Sequence, residues 1–95
     1  MSYSLLFLPQ AKKEWDRLDH SIKNQFKKKL IERLETPEIE KDRLHGQLKH
    51  CYKIKLRQAG YRLVYQVDKH AITILIIAIG RRDHDAIYLS AKARF

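Results

Sequence analysis

An α+β domain of two layers is what this sequence predicts, with an N-terminal strand and a two-helix hairpin packed on an antiparallel sheet and a short C-terminal helix. Three observations carry that expectation. Up to Glu35 the apolar residues recur at helical spacing, from Cys51 they alternate, and Ala71 to Ile79 is an almost unbroken apolar run. The chain has 95 residues, a length that holds one domain, so residues 1–95 are expected to form a single unit.

Tyr3 to Leu8 is short and apolar and stops at Pro9, as a first strand would. Pro9 can open a helix at its first turn, where a missing N–H goes unnoticed. Ala11, Trp15 and Leu18 line one face of that helix, which is expected to run to about Leu18. A second helix begins near Asp19 or Ser21, either of which can cap it. Its apolar stripe is Ile22, Phe26, Leu30, Ile31 and Leu34; Lys23, Lys27, Lys28 and Lys29 fall mostly off it, and Thr36-Pro37 ends it. Two antiparallel helices joined by a tight turn follow. Glu38 to His50 has no clean period and contains Gly46, so it reads as an irregular connection.

From Cys51 to Arg57, Tyr52, Ile54 and Leu56 share one face and Lys53, Lys55 and Arg57 the other. A turn through Gln58-Ala59-Gly60 leads into Tyr61 to Val67. A hairpin centred between Ala59 and Gly60 pairs Leu56 with Leu63, Ile54 with Tyr65 and Tyr52 with Val67, and sets Arg57 opposite Arg62 and Lys55 opposite Val64. After a turn at Asp68 to His70, six of the nine residues from Ala71 to Ile79 are β-branched, which predicts a strand covered on both faces and closed by Gly80. Arg81 to Asp85 reads as a polar loop, and Ala86 to Ala93 as a short helix with Asp85 a possible cap.

Composition narrows the function. Twenty Lys and Arg against eleven Asp and Glu give a net charge of +9, an electrostatic footprint that favours phosphate backbones, with an acidic protein partner as the next reading. The single cysteine, Cys51, rules out intramolecular disulfides and multi-cysteine zinc sites, and at a strand start it reads as a packing residue. The longest apolar run is under half of the ~20 residues that span a bilayer. The N-terminal MSYSLLFLPQ lacks the basic start and small-residue cleavage site of a secretory signal. A soluble, cytoplasmic chain with no membrane association is expected.

The candidate chemistry lies on the polar face of the hairpin. Lys53, Lys55, Arg57 and Arg62 gather there, Arg81 and Arg82 follow the adjacent strand, and Tyr88 sits on the first turn of the last helix. The plain alternative is a solvated outer face. Like charges opposed across strands are destabilising, however, and a fold that keeps them is suited to binding a counter-charge. Cleaving RNA without a metal requires a deprotonated 2′-hydroxyl, a stabilised phosphorane and a protonated 5′-oxygen. Arginine forks serve the second need, and a lysine whose pKa is depressed by neighbouring cations can serve the first. Tyrosine can orient or accept the proton, or stack on a base. His20, His45, His50, His70 and His84 are scattered without metal-ligand spacing, so no metal or other cofactor is expected. His84, within the Arg82–Tyr88 stretch, is the one to test as an acid or base. Trp15 and Phe26, on helical stripes, are core by default.

CYKIKLRQAGYRLVYQV, the apolar strand and GRRDHDAIY closely resemble the RelE toxins of bacterial type II toxin–antitoxin pairs, members of the RelE/ParE superfamily. LLFLPQAKKEWDRL and IKNQFKKKLIERLETPEIEKDRLHG match as well, so the resemblance covers nearly the whole chain. It implies a microbial-RNase-like version of the two-layer fold. It also implies an endoribonuclease that cuts messenger RNA in the ribosomal A site, leaving a 2′,3′-cyclic phosphate, and a RelB-like antitoxin that wraps and silences it. The family's catalytic residues fall on Lys53, Lys55, Arg62, Arg82 and Tyr88. The resemblance implies Lys55 or Tyr88 as base, Arg62 and Lys53 as phosphorane stabilisers, and Arg82 as proton donor or charge stabiliser.

The chain departs from the family at His45, where close relatives carry an arginine, and at Gln47 to His50, one residue longer and ending in Lys49-His50. Ribosome contacts or inhibitor fit can differ there. Arg57, Arg81, His45, Lys23, Lys27 and Lys28 are the expected RNA- and ribosome-binding residues, with a solvated helix face as the alternative for the lysines. A ParE-like gyrase poison and a non-catalytic RNA-binding module of the same fold are the competing functions.

Overall fold

The computed structural model describes residues 2–82 and 86–95. Its elements run β1 (Ser4–Phe7), α1 (Pro9–Asp16), α2 (His20–Glu35), β2 (Cys51–Leu56), β3 (Tyr61–Asp68), β4 (Thr73–Arg81) and α3 (Ala86–Ala93). Two short 3-10 turns, Glu40–Asp42 and Gly46–Leu48, lie in the connection that the sequence left without a period. The strands form one sheet in the order β1-β4-β3-β2. β2, β3 and β4 make the expected antiparallel meander, while β1 joins its far edge parallel to β4, with Ser4 beside Thr73 and Phe7 beside Ile76. No helix among the described residues is long and apolar enough to cross a membrane.

Local chemistry explains the boundaries. Pro9 is the first residue of α1. That helix stops at Asp16 rather than at Leu18: Arg17 closes it, and Leu18 turns back to donate its N–H to the Trp15 carbonyl at 3.1 Å. Of the two possible caps of α2, Asp19 is the one used, its carboxylate accepting from the Ser21 N–H at 3.3 Å.

One face of the sheet carries the helical hairpin. Ala11, Phe26 and Leu30 bury against Tyr52, Ile54, Leu63, Tyr65, Ile74 and Ile76. Phe26 is fully buried and Trp15, half-buried, stands between Phe26 and Phe7, with ring centroids 6.4 and 5.6 Å away. Burying each such side chain contributes roughly 1.5–3 kcal/mol relative to exposure. The opposite face carries α3, whose Ile87 and Ala91 pack with Leu48, Cys51, Val64, Ile77 and Ala78. β4 is covered on both sides, as its composition predicted.

The hairpin register differs from the expected one by two residues. Leu56 pairs with Tyr61, Lys55 with Arg62, Ile54 with Leu63, Lys53 with Val64 and Tyr52 with Tyr65. Sequence alternation fixes which face a residue occupies, but a shift of two preserves both faces. The turn makes the choice: Gly60, at φ +73°, donates its N–H to the Leu56 carbonyl at 2.8 Å, so four residues rather than six separate the strands. Lys55 therefore faces Arg62 and not Val64. β4 also departs from the expectation, starting at Thr73 and continuing through Gly80, which pairs with Arg62, to Arg81. The ladder between β3 and β4 slips between Val64 and Tyr65, leaving Ile77 as the extra residue of a β-bulge.

Candidate active site

The β2–β3 hairpin presents Lys53, Lys55 and Arg62 on the α3 side of the sheet, because their neighbours Ile54, Leu56 and Leu63 are committed to the helical-hairpin core. Lys55 and Arg62 are directly opposed, and Lys53 precedes them on the same face. Lys55 is held below the ordinary lysine pKa, first by the charge of Lys53, then by burial and by Arg62 and Arg57; Asp42 opposes the shift. Crowded cations thus weaken the grip of one amine on its proton, as a base at neutral pH requires.

α3 completes the arrangement from above. Gly80 lies opposite Arg62, and a Cβ at that position would stand 3.4 Å from the Ile87 Cδ1, at van der Waals contact. The residue after Ile87, Tyr88, reaches Arg62. The guanidinium donates to the Tyr88 hydroxyl at 3.2 Å, with its centre 5.5 Å from the ring centroid. Arg82 is tied to the same end of the hairpin by its backbone N–H, which donates to the Gly60 carbonyl at 2.7 Å, and its side chain is exposed.

The remaining predicted residues divide. Arg57 belongs to the cluster, lining with Lys29, Arg33, Asp42, Lys53 and Lys55 a cleft of about 490 Å³ between α2 and β2. Arg81 does not: it pairs with Tyr61 and stacks on that ring at 5.3 Å, on the helical-hairpin face of the sheet. Lys27 and Lys28 are exposed on α2 and Lys23 is half-buried there, apart from the cluster. His45 is exposed where it enters the 3-10 turn whose Leu48 packs with Ile87 and Ala91. His84 and the proposed cap Asp85 lie outside the described residues. A larger cleft, about 540 Å³, opens at the other end of the hairpin beside His50, Gln66 and His70, away from Lys55 and Tyr88.

Sequence reasoning missed Arg33 and Asp42. Arg33 donates to the Lys53 carbonyl at 3.3 Å, to the Tyr65 hydroxyl at 2.7 Å and to Asp42 at 2.6 Å. It anchors the edge strand at Lys53, a member of the charge cluster. The one available signal was its position four residues after Lys29, on the side of α2 that faces β2.

Residues 5–86 match the family described as the ParE toxin of the type II toxin–antitoxin system, parDE. The chain is 46% identical over 94 residues to the mRNA interferase toxin RelE of Escherichia coli K12, covering 99% of this chain and 98% of that one. It belongs to the RelE family of toxins. Its fold superposes on a double mutant of E. coli toxin RelE in the free state with a TM-score of 0.90 at 44% identity, covering 100% of this chain and 99% of the other. The intact E. coli RelBE toxin–antitoxin complex matches with a TM-score of 0.83 at 46% identity, over 87% of this RelE-family chain and 100% of that one. A RelBE2 complex from Mycobacterium tuberculosis, at 19% identity and a TM-score of 0.69, shares the fold.

Proposed function

We propose that this RelE-family toxin is an mRNA interferase that cuts messenger in the ribosomal A site and is neutralised by a RelB-like antitoxin. The observation that carries the reading is the convergence of Lys53, Lys55 and Arg62 with Tyr88, 3.2 Å from Arg62, in a chain 46% identical to an mRNA interferase. In this reading residues 1–95 act as one cytoplasmic domain.

The reaction is a transesterification. Lys55 or Tyr88 takes the proton of the 2′-hydroxyl, whose oxygen attacks the adjacent phosphorus. Arg62 and Lys53 hold the charge that gathers on the phosphorane oxygens, and Arg82 stabilises or protonates the departing 5′-oxygen. The products are a 2′,3′-cyclic phosphate and a 5′-hydroxyl. Arginine is a poor acid because its pKa exceeds about 12, so the cations act best on a nucleotide already held in line, which a messenger fixed in the A site provides. Lys23, Lys27, Lys28, Arg57, Arg81 and His45 supply contacts to ribosomal or messenger RNA.

Primer extension on a messenger translated in a purified system tests the reading, with wild type beside an Arg82→Ala, Tyr88→Ala double variant. Codon-phased cuts from wild type alone, and only with ribosomes, are expected. An uncut messenger with inhibited gyrase supercoiling would transfer the chain to the ParE-like activity, and salt-dependent RNA binding without cleavage to a binding module.

A further inference from the structure

β1 ends at Phe7, beside Ile76, and the Leu8 N–H makes the last backbone bond on that side, to the Ile76 carbonyl at 3.0 Å. β4 runs on to Arg81, through the bulge at Ile77, with β3 on one side and, among the described residues, no strand on the β1 side. Buried backbone groups in that stretch need partners of another kind. Two side chains supply them. Glu14, on α1, accepts from the Ile79 N–H at 3.0 Å, and Arg94, directly after α3, donates to the Ile77 carbonyl at 2.8 Å. The same two residues grip each other in a fork, with Arg94 Nη1 and Nη2 at 2.8 and 3.0 Å from the two Glu14 oxygens. They take the place of strand hydrogen bonds and tie α1, α3 and β4 at one point.

We propose that Glu14 and Arg94 are positioning residues for the active site: their clamp on the β4 edge fixes α3 at the tilt that sets Tyr88 against Arg62. The inference rests on the reading of Tyr88 and Arg62 as active-site groups. Among the described residues, Ile87 and Ala91 also hold α3 by apolar contact, which fixes depth but is not directional, whereas a forked ion pair with two backbone bonds fixes angle. Arg62 reaches Tyr88 at its hydroxyl, 3.2 Å away, and over its ring, 5.5 Å from the centroid, and both distances depend on the angle at which the helix lies.

The test uses the full chain with Arg94→Ala, Arg94→Lys and Glu14→Gln. The first measurement is structural: the nuclear Overhauser contact between the Tyr88 ring and the Arg62 side chain, with amide exchange along α3 and β3. Arg94→Ala is expected to lose the contact and to speed exchange in α3 while β3 stays protected, and Arg94→Lys to recover part of both. The second is single-turnover cleavage of ribosome-bound messenger, where Arg94→Ala is expected to lower the saturating cleavage rate by about tenfold with the half-saturating concentration unchanged. In a Tyr88→Phe background the same change is expected to add little further loss. An intact Tyr88–Arg62 contact in Arg94→Ala, or losses that multiply in full with Tyr88→Phe, would overturn the proposal. Should Arg94→Ala fail to fold, Glu14→Gln, which keeps an acceptor for Ile79, decides by the same contact and the same cycle. Wild-type protein that leaves the messenger uncut would sink the nuclease reading, and the contact and exchange measurements would still decide on the clamp.

Discussion

Lys55 and Arg62 face each other directly across the β2–β3 ladder, two like charges in a position where sheets ordinarily place opposite ones. Lys53, the largest influence on Lys55, burial, Arg62 and Arg57 together lower its pKa against the opposing effect of Asp42. The folded protein thus releases this proton at lower pH than the unfolded chain does. Repulsion costs stability at neutral pH, and that stability returns as pH rises toward the ordinary lysine value of 10.5. Lys55→Met is expected to be more stable than wild type in urea at pH 7 while losing cleavage, with the stability gap closing toward about pH 10.5. A gap that does not change with pH would show that the amine is unperturbed.

Tyr65 is buried with its hydroxyl spoken for: it donates to the Pro37 carbonyl at 2.6 Å and accepts from Arg33 at 2.7 Å. Tyr65→Phe leaves both partners short of a bond and is expected to cost about 1–3 kcal/mol in denaturant unfolding. Burial pushes the phenol up from 10 to about 12. Its neutral form is favoured by the fold, so its stabilisation is complete below pH 10 and falls as pH rises from 10 to about 12. Wild type should lose stability across that window more steeply than Tyr65→Phe.

Gly60 sits at φ +73° with nothing within 4 Å of where a Cβ would be. Gly60→Ala is therefore expected to cost only the backbone strain, about 1–2 kcal/mol, and Gly60→Asn less. Because the Gly60 carbonyl receives the Arg82 N–H, cleavage should fall more than stability does. Equal activity at matched stability would argue against any role for that bond.

Cys51 is fully buried, and its thiol is pushed up to about 11 by loss of water. It should resist a disulfide reagent at pH 8 in the folded state and react as fast as a free thiol once unfolded by urea. Rapid reaction without denaturant would contradict its place beneath α3.

Much of this was legible in the sequence, for physical reasons that differ by element. The stripe holding Phe26 and Leu30 defined α2 because a period of 3.6 has no strand reading, and the β-branched run around Ile74 to Ile79 could bury two faces only as a central strand. The same alternation that set Lys53, Lys55 and Arg62 on one face could not set their register, since a slip of two residues conserves every face. The strand that continues past Gly80 to Arg81 lays that guanidinium over Tyr61, a contact that the polar run Arg81 to Asp85 did not announce. Asp42, Glu14 and Arg94 carried no pattern at all, and Arg33 only its spacing from Lys29. Their roles follow from backbone groups that they serve at remote positions, and one-dimensional spacing holds no trace of those.

The parallel pairing of β1 with β4 has a consequence for how a new copy of the toxin comes into being. Ser4–Phe7 are made first and wait for Thr73–Ile76 before the sheet can close, a long-range contact of the kind that slows folding. Lys53, Lys55 and Arg62 are translated together, but Tyr88 meets Arg62 only when α3 has followed. On the proposed reading of these residues as the active site, a nascent chain therefore holds no complete site until α3 has been made.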